Sequence, residues 1–328
     1  MRRFGLLLFI CLAAGGGWIF LQHFQVEGLE HLKVRPREPG ATSPGTATST
    51  APPVQRAGGT IRIATFNIQV LGTAKLAKPR VVDILAQVAR RFDVLAIQEV
   101  RSKTQDVLPR LVDAINASGR KYDFVIGPRL GRTSSKEQYA FVFDTASVEV
   151  DRQALYTVGD PDDQLHREPL VAWFRVRGPP PDQAFTFSLV NVHTDPDEAA
   201  KEIDVLADVY RAVRDDRRGE DDVLLLGDFN ADDYHYGRLA ALPQIAWVLS
   251  STPTNTRGDK MYDNIVFTRT ATTEFTGRAG VLDLVREFNL TLDEALDVSD
   301  HFPVWAEFSI LEGGQPGRIA ARPKEPTQ

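Results

Sequence analysis

Beyond residue 60 the chain alternates short apolar runs with longer stretches in which apolar residues recur every three or four positions. IRIATF (61–66), DVLAIQ (93–98), YAFVF (139–143), FTFSLVNV (185–192), DVLLLG (222–227), YDNIVF (262–267) and VWAEFSI (304–310) join β-branched and aromatic residues to partial two-residue alternation, which predicts strands. VVDILAQVARRF (81–92), DVLPRLVDAINA (106–117) and EAAKEIDVLADVYRAVRD (198–215) carry the helical period, the last opening just after Pro196. Helices interspersed with strands predict an α/β domain over residues 61–312 whose sheets are covered by helices. No internal repeat or second folded domain is evident.

The chain before that domain reads differently. Residues 4–21 are uncharged and mostly apolar, and Arg2 and Arg3 precede them. Eighteen such residues are the minimum for a membrane-spanning helix, and the same pattern suits a signal peptide. Residues 1–24 are therefore expected to be a signal-anchor or a signal peptide. Trp18 and Phe20 stand where a cleaved signal prefers small residues, which favours an anchor that is kept. The paired arginines would stay cytoplasmic, so the expected location of the domain is extracytoplasmic, membrane-anchored or, after cleavage, secreted. Residues 25–60 are expected to be a flexible linker, because their Pro, Gly, Ser and Thr leave little to bury. Residues 313–328 are expected to be a disordered tail.

Charge and cysteine content narrow the chemistry. The net charge is -6, and residues 60–328 hold 32 basic against 41 acidic side chains. No overall basic surface exists, so any polyanion must be held by a local patch or a metal. Cys11 is the only cysteine, which excludes an intramolecular disulfide and a cysteine-rich zinc site.

Polar residues stand where the predicted strands end. Asn67 follows the first and Glu99 the second, with Arg101 beyond; His193 follows 185–192, and Asp228-Phe229-Asn230 follows 222–227. Asp263 lies within Tyr-Asp-Asn, and Asp300-His301 precedes the last strand. Strand ends on one edge of an α/β core present side chains to a common cleft. Oxygen donors around two imidazoles, without thiolate, favour a hard cation such as Mg²⁺. Such a set suits phosphodiester hydrolysis. Glu99, helped by Asn67 and Asp228, would hold the cation against a non-bridging oxygen, offsetting charge that builds up during attack. His301, supported by Asp263 or Asp300, is the candidate base, and His193 the candidate acid.

The motifs TFNIQ (65–69), IQEVR (97–101), GRTSSKEQYAFVF (131–143), REP (167–169), NVHTDP (191–196), GDFNAD (227–232), YDNIVF (262–267) and SDHFPV (299–304) resemble those of the endonuclease/exonuclease/phosphatase superfamily, in its deoxyribonuclease I-like branch. The resemblance covers roughly residues 61–310. It implies a four-layered α/β sandwich, with two mostly antiparallel sheets packed face to face and helices outside. By the same resemblance Glu99 is the principal metal ligand, with Asn67 beside it; Asp228 and Asn230 bind metal and phosphate, and Asp300 is a metal-side aspartate. His193 and His301 are the catalytic histidines, supported by Glu137 and Asp263 respectively. Arg101, Arg167 and Arg132 contact substrate. The implied activity is a low-specificity endonuclease acting on DNA with Mg²⁺, with Mn²⁺ as substitute and Ca²⁺ as a further candidate ion, by a chain expected to be monomeric.

Three positions depart from the pattern. The tyrosine that stacks on a deoxyribose in the branch is matched by Ser135, the disulfides have no counterpart, and Asn264 replaces an arginine. The lost aromatic contact and the lost positive charge put groove affinity in question and leave the hydrolytic centre intact. Arg101, Lys103, Arg129, Arg132, Lys136, Arg167, Arg257 and Lys260 are candidates for a cationic rim. The alternatives are a phosphodiesterase or phosphatase of the same superfamily acting on lipid, phosphoinositide or nucleotide, and a silent binding module. No central residue of the set is lost, which argues against the latter.

Overall fold

The structure, a computed structural model, describes residues 59–132 and 136–314. Within them the apolar runs form twelve strands: β1 (Thr60–Leu71), β2 (Val94–Val100), β3 (Tyr122–Ile126), β4 (Gln138–Asp144), β5 (Val148–Thr157), β6 (Leu170–Val176), β7 (Thr186–His193), β8 (Val223–Asp228), β9 (Ile245–Trp247), β10 (Asp263–Thr268), β11 (Phe275–Val281) and β12 (Val304–Ser309). The main helices are α1 (Pro79–Ala89), α2 (Val107–Asn116), α3 (Ala199–Arg214) and α4 (Leu292–Val298).

Two six-stranded sheets result, ordered β11-β12-β1-β2-β4-β3 and β5-β6-β7-β8-β10-β9. Each has one parallel pair at its centre, β1 with β2 and β7 with β8, and antiparallel partners elsewhere. A parallel pair needs a crossover, and α1 and α3 supply the two. Their period explains the placement: in α3, Ile203, Leu206, Ala207, Tyr210 and Val213 fall on one buried face.

Three apolar clusters separate the layers. Phe141, Phe174, Phe185, Phe187 and Phe308 pack between the sheets. Leu85, Val88, Leu111 and Ile115 of α1 and α2 cover the first sheet, and Leu206 and Tyr210 of α3 cover the second. Helix, sheet, sheet and helix make a four-layered sandwich, as the resemblance implies. Burying each phenylalanine contributes roughly 1.5–3 kcal/mol, and a polar bolt adds a directional constraint on the register between the sheets. Gln98 Nε2 donates to Asn191 Oδ1 at 2.6 Å across the interface, and Asn191 Nδ2 donates to the Ala140 and Ile97 carbonyls at 3.1 and 3.2 Å.

The expected membrane anchor is corrected. Among the described residues no helix is long and apolar enough to cross a membrane, and the longest, α3, has 16 residues with a polar face. Residues 4–21, on which that expectation fell, lie outside the described residues, as do 25–58 of the linker and 315–328 of the tail. Membrane partnership and membrane-anchored localisation therefore gain no support and are set aside.

Candidate active site

The parallel pairs aim their C-terminal ends at one place. Asn67 lies within β1 opposite Gln98, the residue before Glu99, where the register of the pair breaks, while His193 at the end of β7 stands opposite Asp228 at the end of β8. Asp263 opens β10 and faces Asp228 from the other side. Two local features allow the close approach. A Cβ on Gly227 would lie 1.9 Å from the Val192 carbonyl oxygen, so GDFN needs its glycine for β8 to pass β7. Glu99 adopts a left-handed backbone, φ 61°, which turns its carboxylate out of the strand at a local energetic cost. Val70 N donates to Glu99 Oε2 at 2.9 Å and holds it there.

Asp228 is the hub. Its Oδ2 accepts from Asn67 Nδ2 at 3.0 Å and lies 3.5 Å from both His193 Nε2 and His301 Nε2. Its Oδ1 accepts from the Asn230 amide at 2.9 Å, and Asn230 Nδ2 donates to the Thr194 carbonyl at 2.9 Å. Each histidine is held by a carboxylate from the opposite sheet. His193 Nδ1 is 2.7 Å from Glu137 Oε1, and His301 Nδ1 is 2.8 Å from Asp263 Oδ2. Of the two acids expected to support His301, Asp263 meets Nδ1, whereas Asp300 is half exposed and 3.9 Å from Nε2.

The surroundings of the two pairs differ. Glu137 also faces Arg101 at 3.2 Å and Arg167 at 3.1 Å. Burial would raise its pKa, but His193 and the two arginines prevail and hold it below the ordinary value. Burial pulls His193 down; Glu137 and Asp228 outweigh it and raise the ring. Burial likewise opposes charge on His301, yet Asp263, Asp228 and Asp300 push it up to about 10. Asp263 is raised by burial in spite of His301 and of the Thr254 hydroxyl, which donates to it at 2.7 Å.

The carboxylate and imidazole groups form two clusters able to hold a divalent cation, Glu99–Glu137–His193 and Asp228–Asp263–His301, with candidate donor atoms within 4.8 Å of each other in each. Hydrogen bonding discriminates among these donors. Glu137 is already engaged by His193 and two arginines, whereas Asn67 Oδ1 is buried without a partner, and its amide nitrogen lies 3.3 Å from Glu99 Oε1. Glu99 and Asn67 thus offer hard oxygen donors at the point where a cation fits.

The arginines divide. Arg101 bridges Glu99 at 3.3 Å and Glu137 while remaining partly exposed. Arg167, whose side chain is 7% exposed, turns inward and donates to the His193 carbonyl at 3.2 Å. Arg132 is not brought to the hub; it pairs with Asp163 at 3.0 Å and Glu198 at 3.1 Å. Arg129 ties the Ser102 and Lys136 carbonyls together, while Lys103, Lys136, Arg257 and Lys260 are exposed. Ser135 lies outside the described residues.

Three contributors escaped the reading of the sequence. Ser299 Oγ donates to the Asn67 carbonyl at 2.6 Å and accepts from the His301 amide, joining the two motifs. Thr254 braces Asp263. Lys75 Nζ donates to the Val298 carbonyl at 2.7 Å; burial lowers its pKa to about 8 against the pull of Asp300 and Glu99. Ser299 directly precedes Asp300-His301 and was within reach of inspection; Thr254 and Lys75 carry no local signal.

Residues 64–301 match the Endonuclease/Exonuclease/phosphatase family. The chain is 34% identical to deoxyribonuclease gamma of Rattus norvegicus, covering 76% of this chain and 84% of that protein, and 37% identical to deoxyribonuclease-1-like 2 of Homo sapiens, covering 74% and 90%. Among solved structures, D. rerio TDP2 complexed with a single-strand DNA product covers 76% of this chain and 99% of its own at TM-score 0.52; at 15% identity that likeness concerns the fold alone. With its central residues converged on Asp228, the chain belongs to the Endonuclease/Exonuclease/phosphatase family.

Proposed function

We propose that this chain is an Mg²⁺-dependent endonuclease that hydrolyses DNA phosphodiesters with low sequence preference. The observation that carries the reading is Asp228 Oδ2, 3.5 Å from the Nε2 atoms of two histidines whose Nδ1 atoms are each fixed by a carboxylate. Two oriented imidazoles on one hub suit a reaction that removes one proton and returns another. Relatives named deoxyribonucleases support DNA as the substrate.

His301 accepts a proton from the attacking water at Nε2, and Asp263 holds the ring in position for it. The water oxygen bonds to phosphorus as the bond to the leaving oxygen breaks, and His193 Nε2 gives that oxygen its proton. Glu137 and Asp228 raise the pKa of His193 against its burial, which favours the protonated ring this role needs. Glu99 and Asn67, with Asp300, would hold Mg²⁺, which would supply positive charge to offset the charge building on the phosphate and the negative field that raises His301. Asn230 and Asp228 orient the phosphate. Arg101 meets the DNA backbone, and Arg132 lies farther along it. Arg167 is a positioning residue for Glu137 and His193.

Purified protein should nick supercoiled plasmid with Mg²⁺ or Mn²⁺, and Glu99→Ala and His301→Ala should each reduce nicking by about 10³-fold or more. Full activity in both variants would overturn the assignment. Preferential turnover of sphingomyelin or inositol phosphates in a parallel panel would redirect the substrate.

A further inference from the structure

The other end of β8 carries a second cluster that the hydrolytic reading does not use. Asp222 directly precedes β8, so about 20 Å of strand separates it from Asp228. Glu274, directly before β11, and Glu312, three residues after β12, reach the same point: one oxygen from each of the three carboxylates lies within 4.8 Å of the others. Asp222 and Glu274 are each 1% exposed.

Their hydrogen bonding is incomplete. Glu274 Oε1 accepts from the Gly313 amide at 2.6 Å and Glu312 Oε2 from the Thr186 amide at 3.1 Å. Asp222 Oδ1 and Glu274 Oε2 are buried without a close partner, and the Thr272 hydroxyl faces Asp222, where it works against the rise in its pKa. Among the described residues none of the three carboxylates forms an ion pair with lysine, arginine or histidine. Burial and the neighbouring Glu274 push Asp222 up to about 9, and burial raises Glu274 and Glu312 as well. Buried carboxylates with idle oxygens and no counter-charge are costly, and either protons or a cation must relieve them.

We propose that Asp222, Glu274 and Glu312, with the Thr272 hydroxyl, form a Ca²⁺ site at the pole opposite the catalytic hub. All the donors are oxygen. Two oxygens on a shell of about 2.3–2.6 Å radius stand at most about 5 Å apart, which accommodates the observed spacing, and Ca²⁺ tolerates the irregular six- to eight-fold coordination such a set would provide. Water completes the shell on the exposed side of Glu312. The ion binds the segment after β12 to the starts of β8 and β11, so its role is structural and does not depend on the proposed hydrolysis.

Trp173 provides a reporter: its Nε1 donates at 2.8 Å to Glu220, which accepts the Asp222 amide at 3.0 Å. In full-length protein carrying Glu99→Gln and Asp228→Asn, which disable the catalytic pole, Tb³⁺ should give tryptophan-sensitised luminescence that Ca²⁺ displaces. Saturating Ca²⁺ should raise Tm by about 5 °C. Adding Asp222→Asn and Glu274→Gln should abolish both signals while raising Tm in EDTA, since neutral amides remove the buried repulsion. That rise also shows that the variant folds. Signals that survive the added substitutions, or no Ca²⁺-dependent shift in the protein that retains the acids, would overturn the site and leave the carboxyls neutralised by protons.

Discussion

The two sheets build the catalytic centre from equivalent positions filled with different chemistry. The parallel pairing of β1 with β2 is interrupted at Asn67 and Glu99 in one sheet, and that of β7 with β8 ends in His193 and Asp228 in the other. Next to them, β4 is preceded by Glu137 and β10 opens with Asp263. The outer neighbours match as well: Arg167 stands three residues before β6 and His301 three before β12, each with a proline two residues on. One architecture thus supplies two carboxylates for two histidines, but an arginine occupies in one half the place of a histidine in the other. Glu137 is surrounded by positive charge, whereas Asp263 has only His301 and a neutral hydroxyl. The lesson is that geometry is repeated while electrostatics is not: the acid that holds His193 is shared with two arginines, and the acid that holds His301, among the described residues, with none.

Exchanging the acids tests this most severely. Asp263→Asn leaves His301 without its anionic partner and should lower plasmid nicking by about 10²–10³-fold, with a smaller loss of Tm than Glu137→Gln. Glu137→Gln should lower nicking as well, but also lower Tm, because Arg101 and the buried Arg167 would lose their shared anion. Equal Tm losses in the two variants would dissolve the distinction.

A pH scan of Tm in EDTA should show a smaller, asymmetric effect. Glu137 is depressed, so its stabilising contribution is present above about 4.5 and fades as pH falls below that. His301 is raised to about 10, so its contribution is complete below about 6.5 and fades as pH climbs toward 10. Between about pH 4.5 and 6.5 both contributions are therefore present together, and differential scanning calorimetry of the variants against the parent should resolve each limb. Asp263→Asn should flatten the alkaline limb and Glu137→Gln the acidic one; unchanged limbs would refute the assignment of charge.

The smallest change is expected from Arg101→Ala. Arg101 is partly exposed and shared between two carboxylates, so its removal should weaken DNA binding by only about ten-fold and reduce the salt slope of log Kd by about one. Fluorescence anisotropy across 50–200 mM salt would read it, and an unaltered slope would place Arg101 off the DNA path.

Seven strands and three long helices were legible because each buries a continuous apolar face. Four of the five strands that were missed, β3, β5, β9 and β11, are the edges of the sheets. An edge strand is half exposed, short or rich in glycine: β5 carries Asp151, Arg152 and Gln153 outward, and β11 contains Gly277 and Gly280. The apolar signal is diluted there. The fifth, β6, is apolar nearly throughout and lacks clean alternation. In the site, the motif residues were legible because they end strands. What the motifs did not reveal was direction: the inward turn of Arg167 and the tie of Arg132 to Asp163 and Glu198 depend on partners distant in sequence, whereas the pairing of Asp263 with His301 was already implied by the resemblance.

Gln98 and Asn191 lie one and two residues before Glu99 and His193, so the bolt between the sheets sits directly behind the reacting groups. A shifted apolar layer can repack against other apolar neighbours at a cost in packing. A keyed joint has no such substitute: a slip of one residue would leave four polar partners stranded in a dry interior. Replacing the pair by leucine would leave the sheets stuck together but free to creep, and the two halves of the reaction would drift out of step.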